Sequence, residues 1–236
     1  MQTVQGTGSQ ANCRTHRTGE FFRKLSPAAL ADLTSIGSPK SYAVGEILFC
    51  EKQAPTGVFL IREGIVRLSM NSSDGKRLSL RVARAGEILG LTSALFGTNC
   101  ETTAETLSTA RIAQISGVDF LAFLLRYPEV NKLVTEEVSL QYTMACEQLR
   151  MVGLSSSAPE KLARLLLEMS ESGQTNENVT RFRFLMTHEQ IGEFIGASRE
   201  TVTRTFGAFK LRRLVALNGS TLTIPNRRAL ESYAGG

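Results

Sequence analysis

The pattern of hydrophobic and polar positions divides the chain into regions of different period. From about Lys40 to Ser116, short apolar and β-branched runs alternate with turn residues, as in "GVFLIREGIVRLSM" and "RLSMNSSDGKRLSLRV". The first pair of runs is separated at Glu63-Gly64, and Asp74-Gly75 in the second pair is typical of a hairpin. A further pair of strands is expected in "TAETLSTARIAQIS". Strands at this spacing predict an antiparallel β-barrel or jelly roll, and flanking helical patterns make the expected fold class α+β.

Helical patterns lie on both sides of this β-rich region. Ser26-Pro27 is typical of an N-cap followed by proline at the first helical position, which predicts a short helix there. After Gly117 a short helix is predicted from Asp119 to Arg126, and a longer one begins at Pro128.

The longer helix carries an apolar seam with the spacing 4, 3, 4, 3. Its members are Val138, Tyr142, Ala145, Leu149 and Val152. A seam of this kind predicts a dimerisation helix. It covers about two heptads, fewer than a coiled coil usually needs, so a helix packed on its own barrel stays an alternative.

The segment "THEQIGEFIGASRETVTRTFGAFKLRRL" predicts two helices joined by a short turn at Gly196-Ala197. Thr187 with Gln190 forms a capping box before the first helix, and Ser198 is the expected N-cap of the second. On a helical wheel the second helix places Val202, Phe206 and Phe209 on one face, which predicts burial of that face.

Basic residues are concentrated in the same part of the chain. Between Arg199 and Arg228 there are seven basic residues and one acidic residue, a net of +6, whereas the whole chain carries +5. A local excess of this kind is the electrostatic footprint of a nucleic-acid face, although a solvated basic surface would look the same by charge alone.

The exposed face of the second helix combines residue types that can read base pairs. A guanidinium can donate to O6 and N7 of guanine, and a carboxylate can accept from N4 of cytosine. The predicted base-reading residues are Arg199, Glu200, Thr203 and Arg204. The candidates for phosphate contacts are Thr187, His188, Ser198, Lys210, Arg212 and Arg213.

The chain divides into four predicted parts. "GLSSSAPEKL" predicts a hinge, which is followed by a helix from Pro159 to Ser170. Strands are predicted in "VTRFRFLM" before the helix pair and in "LVALNGSTLTIP" after it, with a type I′ turn at Asn218-Gly219. We therefore expect a disordered arm at 1–19, a β-barrel sensor domain at 20–126, a dimerisation helix at 127–153 and a winged helix-turn-helix domain at 154–236.

From about Gly19 onward the chain resembles the Crp–Fnr family of bacterial transcription regulators. "SRETVTR" is similar to the family's recognition-helix pattern S-R-E-x-V-x-R, and "DGKRLSLRVARAGEILG" resembles the hairpin and glycine turn of its cyclic-nucleotide-binding barrel. The resemblance implies a homodimer that reads a palindrome with TGTGA-like half-sites through Arg199, Glu200 and Arg204. Thr203 replaces a small residue of the cyclic-AMP-responsive members, which leaves the outermost base preference open. RNA polymerase is a further candidate partner.

The resemblance also implies where an effector would bind. Nucleotide-binding members carry Gly-Glu and, about ten residues later, Arg followed by Ser or Thr. Aligning Gly90 with the glycine places Leu91 at the glutamate position and Glu101 at the arginine position. A carboxylate would repel a phosphate, so cyclic AMP is disfavoured, the effector stays unidentified and no cofactor is predicted. The candidate pocket residues are Gly86, Gly90, Leu91, Glu101, Thr102 and Thr103.

Other classes of protein fit the sequence less well. The chain has no run of 18 apolar residues and no apolar N-terminal stretch, which predicts a cytoplasmic protein with no membrane contact. Residues 40–116 contain no histidine, which argues against a cupin-like enzyme. A ligand-sensing or redox-sensing regulator that acts mainly through a protein contact is the alternative.

The cysteines predict free thiols rather than a metal site. Cys13, Cys50, Cys100 and Cys146 lie far apart in the chain and form no C-x-x-C pair, so no metal is expected. They also lack the clustering that an iron–sulfur sensor needs. His16 in the predicted arm and His188 in the DNA-binding domain are poorly placed as haem ligands. A redox role for Cys50 or Cys100 stays open.

Overall fold

The computed structural model describes residues 21–37, 39–154, 157–171, 173–176 and 178–234. The predicted arm at 1–19, with Cys13 and His16, and residues 155–156 of the predicted hinge lie outside this set. The helices are α1 (Phe21–Lys24), α2 (Pro27–Ile36), α3 (Leu91–Phe96), α4 (Gly117–Arg126), α5 (Val130–Gly153), α6 (Ala158–Ser170), α7 (His188–Ile195), α8 (Arg199–Leu211) and α9 (Arg227–Glu231). The strands are β1 (Pro39–Tyr42), β2 (Ile47–Phe49), β3 (Val58–Glu63), β4 (Ile65–Asn71), β5 (Arg77–Arg84), β6 (Ile88–Leu89), β7 (Thr103–Thr106), β8 (Ala110–Ile115), β9 (Gln174–Asn176), β10 (Val179–Arg183), β11 (Ala216–Asn218) and β12 (Thr221–Ile224).

The N-terminal β-rich region consists of two four-stranded antiparallel sheets. Their strand orders are β1-β8-β3-β6 and β2-β7-β4-β5. Buried residues drawn from both sheets form one apolar cluster: Phe59, Ile61, Val66, Leu68, Ala83, Leu89, Ala104, Ala110 and Ile112. The predicted antiparallel fold is confirmed in its jelly-roll form, because the two sheets do not close into one continuous barrel.

Strands that follow one another in sequence do not always pair. β4 and β5 form the hairpin predicted at Asp74-Gly75, with residues 72–76 as its loop. By contrast, β3 and β4 belong to different sheets although Gly64 alone separates them. β7 and β8 are also divided between the two sheets. These sheet changes are long-range features that an alternating sequence pattern does not contain.

Helices α1, α2, α4 and the first half of α5 cover one side of the β-rich domain. The N-cap of α2 is confirmed, since Ser26 Oγ accepts a hydrogen bond from Ala29 N at 3.3 Å. The buried cluster beneath these helices comprises Phe21, Leu25, Ala29, Leu33, Val58, Leu60, Ile88, Leu91, Ala113, Ile115, Phe120, Phe123, Leu124, Val130 and Val134.

The long helix α5 divides its predicted seam between two roles. It begins at Val130 rather than at Pro128. Val138 packs against the cluster beneath the helices, and Val152 lies against Gly196 in the C-terminal domain. Tyr142 and Leu149 are 71% and 63% exposed. The ends of the seam therefore pack within the chain, whereas its middle offers an apolar surface.

The C-terminal domain is a winged helix. The third sheet has the order β11-β12-β10-β9 and packs with α6, α7 and α8 around a core that includes Leu162, Leu166, Phe182, Ile191, Phe206, Phe209 and Leu222. The predicted type I′ turn at Asn218-Gly219 is wrong. Asn218 pairs with Thr221, so Gly219 and Ser220 are the central residues, and of these only Gly219 has a positive φ, at 56°. This φ pattern fits a type II′ turn, which places glycine first.

Candidate nucleic-acid interface

Both helices of the α7–α8 pair begin at the predicted caps. Thr187 Oγ1 accepts from Gln190 N at 3.2 Å, and Gln190 Oε1 accepts from Thr187 N at 2.9 Å, which completes the capping box. Ser198 Oγ accepts from Thr201 N at 3.2 Å at the start of α8. These bonds satisfy N–H groups that a helix start otherwise leaves without partners.

A close approach at Gly192 fixes the turn between the two helices. A Cβ at Gly192 would lie 2.5 Å from the carbonyl oxygen of Ala197. Ala197 N also donates to the carbonyl of Gly192 at 3.0 Å. Any side chain at this position would push the turn away from α7 and change the angle at which α8 is presented.

The buried face of α8 is the one predicted from the helical wheel. Val202, Phe206 and Phe209 are all at most 2% exposed. The Phe206 ring stacks on Phe184 with ring centroids 6.0 Å apart. The centroid of the His188 ring lies 5.5 Å from that of Phe206. These contacts hold α8 in one rotation about its axis, so its opposite face is defined.

That opposite face is exposed and carries the four predicted base-reading residues. Arg199, Glu200, Thr203 and Arg204 are all exposed. Among the described residues, neither Arg199 nor Arg204 takes part in a salt bridge. Both guanidinium groups are therefore available to an external acceptor.

Glu200 is held in its ionised form by the start of α8. Hydrogen bonds from its own backbone N–H and from the Ser198 side chain lower the pKa of the Glu200 carboxyl, and the charge of Arg199 adds to the effect. An ionised carboxylate only accepts hydrogen bonds, so this group can face a donor such as N4 of cytosine.

The Thr203 hydroxyl is already occupied within the protein. Thr203 Oγ1 donates to the carbonyl oxygen of Arg199 at 2.9 Å, and His188 Nδ1 lies 2.8 Å from Thr203 Oγ1. The structure thus brings together a predicted base-reading residue and a predicted phosphate contact.

The other phosphate-contact candidates lie around the end of α8. Lys210 Nζ lies 5.2 Å above the Phe206 ring, and Arg213, with a φ of 55°, follows the helix. Arg212 donates a hydrogen bond to the Tyr233 hydroxyl, and its guanidinium lies 5.7 Å from that ring. The role of Tyr233 in orienting Arg212 had no signal in the sequence, because the contact joins α8 to the segment after α9.

Buried polar contacts join α7 to the β-rich domain. Arg67 on β4 forms salt bridges with Glu193 on α7 and with Glu105 on β7, the second at 2.8 Å. Gln148 Nε2 donates to the carbonyls of Ser79 and Phe194 at 2.9 and 2.7 Å. An arginine within the apolar run of β4 was the only sequence signal for this link.

The predicted effector-pocket residues are only partly brought together. Gly90 caps α3, Leu91 is buried at its start, and Glu101 Oε2 accepts from Ser93 Oγ at 3.2 Å. Gly86 lies in the turn between β5 and β6. Thr102 directly precedes β7, and Thr103 Oγ1 on β7 accepts a hydrogen bond from Glu51 N at 3.1 Å. The carboxylate predicted to oppose a phosphate is therefore bonded to the protein's own helix.

Comparisons with known proteins agree with this architecture. Residues 39–127 match the cyclic nucleotide-binding domain, and residues 160–233 match the Crp-like helix-turn-helix domain. The chain is 26% identical over 226 residues to the transcriptional activatory protein AadR of Rhodopseudomonas palustris, covering 94% of this chain and 93% of that one.

The chain belongs to the Crp–Fnr family of transcription regulators. A second relative, 22% identical over 215 residues with 91% of this chain and 96% of its own length covered, is the CRP-like cAMP-activated global transcriptional regulator of Mycobacterium tuberculosis. The solved structure of FixK2 from Bradyrhizobium japonicum has the same fold, with a TM-score of 0.74, 20% identity, and coverage of 85% of this chain and 98% of that chain. These relatives are transcription regulators, not enzymes.

Further features of this Crp–Fnr chain concern its cysteines and helices. Cys50, Cys100 and Cys146 are free thiols. Burial raises the pKa of the Cys100 thiol, against a hydrogen bond with Ser93 that lowers it. Within the described ranges there is no cluster of three or more histidine, cysteine or acidic residues suited to a metal ion, and no helix is long and apolar enough to cross a membrane.

Proposed function

We propose that this protein is a sequence-specific regulator that binds palindromic DNA with TGTGA-like half-sites as a homodimer. The observation that carries the proposal is the exposed face of α8, where two arginines with no salt bridge among the described residues flank an ionised glutamate. A surface that only needed to stay solvated would not require Phe206 and Gly192 to fix its orientation.

Each of these side chains has a role in reading the half-site. Arg199 and Arg204 donate in pairs to guanine O6 and N7, and Glu200 accepts from cytosine N4. Lys210, Arg212 and Arg213 position the domain on phosphates, together with the N–H groups at the capped helix starts. The protein therefore acts in the cytoplasm, where it meets the chromosome.

Dimerisation through α5 would place two recognition helices on one palindrome. The exposed side chains of Tyr142 and Leu149 form the apolar centre of the proposed interface. Two copies of α8 would then enter successive major grooves about 34 Å apart. Replacing Leu149 with Asp should shift the protein from dimer to monomer in sedimentation velocity, and a dimer that persists unchanged contradicts this interface.

Selection of bound duplexes from a random DNA pool tests the proposed site. The nucleotide-free protein should enrich a two-fold palindrome with guanine and cytosine at the positions assigned to Arg199, Glu200 and Arg204. The selection is then repeated with a cell extract added as a source of effector. If neither selection enriches a palindrome, the proposal is contradicted. Transcription in vitro with RNA polymerase on the selected duplex distinguishes activation from repression.

We further propose that cyclic AMP does not control this protein in the usual way. Glu101 lies where nucleotide-binding members place an arginine, and its carboxylate is bonded to Ser93 at the start of the segment that would hold the phosphate. Phe59 and Leu89 belong to the apolar cluster between the sheets. We therefore do not assign to this chain the activation by cyclic AMP that is part of one relative's name.

Titration calorimetry with cyclic AMP tests this second proposal. The wild-type protein should give no binding heat at micromolar nucleotide. Glu101→Arg serves as the matched variant, because it restores the cation that a cyclic phosphodiester needs. Micromolar affinity of the wild-type protein would contradict the proposal.

A further inference from the structure

The hydroxyl of Thr203 cannot be a free hydrogen-bonding group towards DNA. A threonine hydroxyl has one proton, and Thr203 Oγ1 donates it to the carbonyl oxygen of Arg199 at 2.9 Å. A carbonyl cannot donate, so the contact with Arg199 has only one possible direction. His188 Nδ1 lies 2.8 Å from Thr203 Oγ1, and the roles in that contact depend on the imidazole tautomer. In the tautomer with the proton on Nδ1, His188 donates to Thr203 Oγ1 and both contacts are hydrogen bonds.

The two contacts together fix the side-chain torsion of Thr203. One partner belongs to the preceding turn of α8, and the other belongs to the first residue of α7. His188 is itself held in place, since its ring lies 5.5 Å from the buried Phe206 ring at an angle of 39°. With Oγ1 turned towards these groups, the Cγ2 methyl is the remaining heavy atom on the exposed Thr203 Cβ.

We propose that His188 is a positioning residue that makes Thr203 read DNA through its methyl group and thereby prefer thymine. A thymine exposes its C5 methyl in the major groove, where a threonine methyl can pack against it. This inference rests on the proposed function of α8 and assigns the base preference that the sequence left open. Without the Nδ1 donor, the hydroxyl has one partner fewer and the methyl is no longer held towards the groove.

Replacing thymine with uracil in the selected duplex measures the methyl contact directly. Uracil lacks only the C5 methyl, so the ratio of dissociation constants reports that group alone. The wild-type protein should bind the duplex about fourfold more weakly when one particular thymine of a single half-site is replaced, the loss expected for one buried methyl-sized contact. Thr203→Ser keeps the hydroxyl and removes the methyl, so its ratio should fall to about one.

A pair of substitutions at His188 isolates the positioning role. The amide nitrogen of asparagine lies at the same bond separation as Nδ1, whereas that of glutamine corresponds to Nε2. His188→Asn should therefore keep most of the fourfold ratio, and His188→Gln should lose it. Both variants lose the ring that is tilted against Phe206, so any purely structural effect is shared between them. Circular dichroism checks that both are folded.

Each remaining outcome overturns a defined part of the inference. A fourfold ratio that persists in Thr203→Ser shows that the methyl is not read. Equal ratios in His188→Asn and His188→Gln show that Nδ1 does not position Thr203. If the wild-type protein binds the uracil and thymine duplexes equally well and this binding still depends on Arg204, the inference is overturned and the proposed function survives. Failure to bind any specific duplex overturns both.

Discussion

In the β-rich domain, Arg67 and Arg81 have side-chain exposures of 5% and 9% and are neutralised by carboxylates of the chain itself: Glu105 and Glu193 for Arg67, and Glu87 for Arg81. On α8, by contrast, Arg199 and Arg204 are exposed and have no salt bridge among the described residues. The same residue type is thus paired within the fold in one domain and left exposed in the other.

The two regions also differ in how they use carboxylates. Glu101 accepts a hydrogen bond from Ser93 on α3, so its carboxylate has a partner within the chain. Glu200 is held ionised at the start of α8 but stays exposed. The role of a charged residue in this chain can be inferred only once its intramolecular partners are known. Residue type and spacing alone do not distinguish a carboxylate that is bonded within the protein from one that stays exposed.

The largest expected effect comes from removing a buried arginine. Arg67→Ala should lower the free energy of unfolding by about 3–5 kcal/mol, because the partly buried Glu193 would lose its arginine and Glu105 would keep only Arg77. Urea denaturation measures the change. Arg77, which also contacts Glu105 but is more exposed, is the matched control, and Arg77→Ala should cost below about 1 kcal/mol. Similar losses in the two variants would contradict the contrast between buried and exposed arginines.

An exposed arginine of α8 should show the opposite behaviour. Arg204→Ala should leave the free energy of unfolding within about 0.5 kcal/mol of wild type. It should weaken specific DNA binding by about 1–3 kcal/mol and relax the preference at one base pair. Fluorescence anisotropy on specific and random duplexes measures both effects. Arg204→Lys keeps the charge but not the paired donors, so it should recover binding to random DNA more than specificity.

Equal loss of affinity for specific and random DNA in Arg204→Ala would make this residue a phosphate contact only. A large loss of stability would show that Arg204 belongs with Arg67 as a structural residue.

Local signals in the sequence were sufficient for some of these features. The caps at Ser26, Thr187 and Ser198 and the buried face of α8 depend on residues within one or two helical turns, so they could be predicted. The fold class followed from strand spacing and turn residues in the same way. The exposure of Glu200, Thr203 and Arg204 followed from the helical wheel.

Long-range contacts could not be predicted from those signals. Arg67 and Glu193 are 126 positions apart, and His188 and Thr203 lie on different helices. The contacts of Val138 and Val152 within the chain could not be predicted, because the periodicity of α5 does not show where its seam packs. The predicted turn type at Asn218-Gly219 was wrong because the strand register decides which two residues are central in the turn.

A smaller effect is expected from the cap of α8. Ser198→Ala removes the acceptor for Thr201 N and should lower the free energy of unfolding by about 1 kcal/mol. It also removes a hydrogen bond to Glu200, so specific binding should weaken slightly with it. Ser198→Asp, which can accept the same hydrogen bond, should restore stability. Thermal denaturation and anisotropy together measure both effects, and an unchanged melting temperature in Ser198→Ala would contradict the role of the cap.

The smallest expected effect is that of pH on the cytosine preference assigned to Glu200, which should not change. The pKa of Glu200 is lowered in the folded protein, so any stability it adds is present above its unfolded pKa and is lost only as pH falls through the lower folded value. The cytosine preference assigned to Glu200 should therefore stay constant from about pH 8 to about pH 5, well above the ordinary carboxyl pKa of about 4.3. Dissociation constants for the cytosine duplex and a substituted duplex, measured across that range, give the ratio at each pH. Glu200→Gln, which does not titrate, separates this carboxylate from other groups. A ratio that declines in the wild type above pH 5 but not in Glu200→Gln would show that the capped helix start does not hold the carboxylate ionised in the complex.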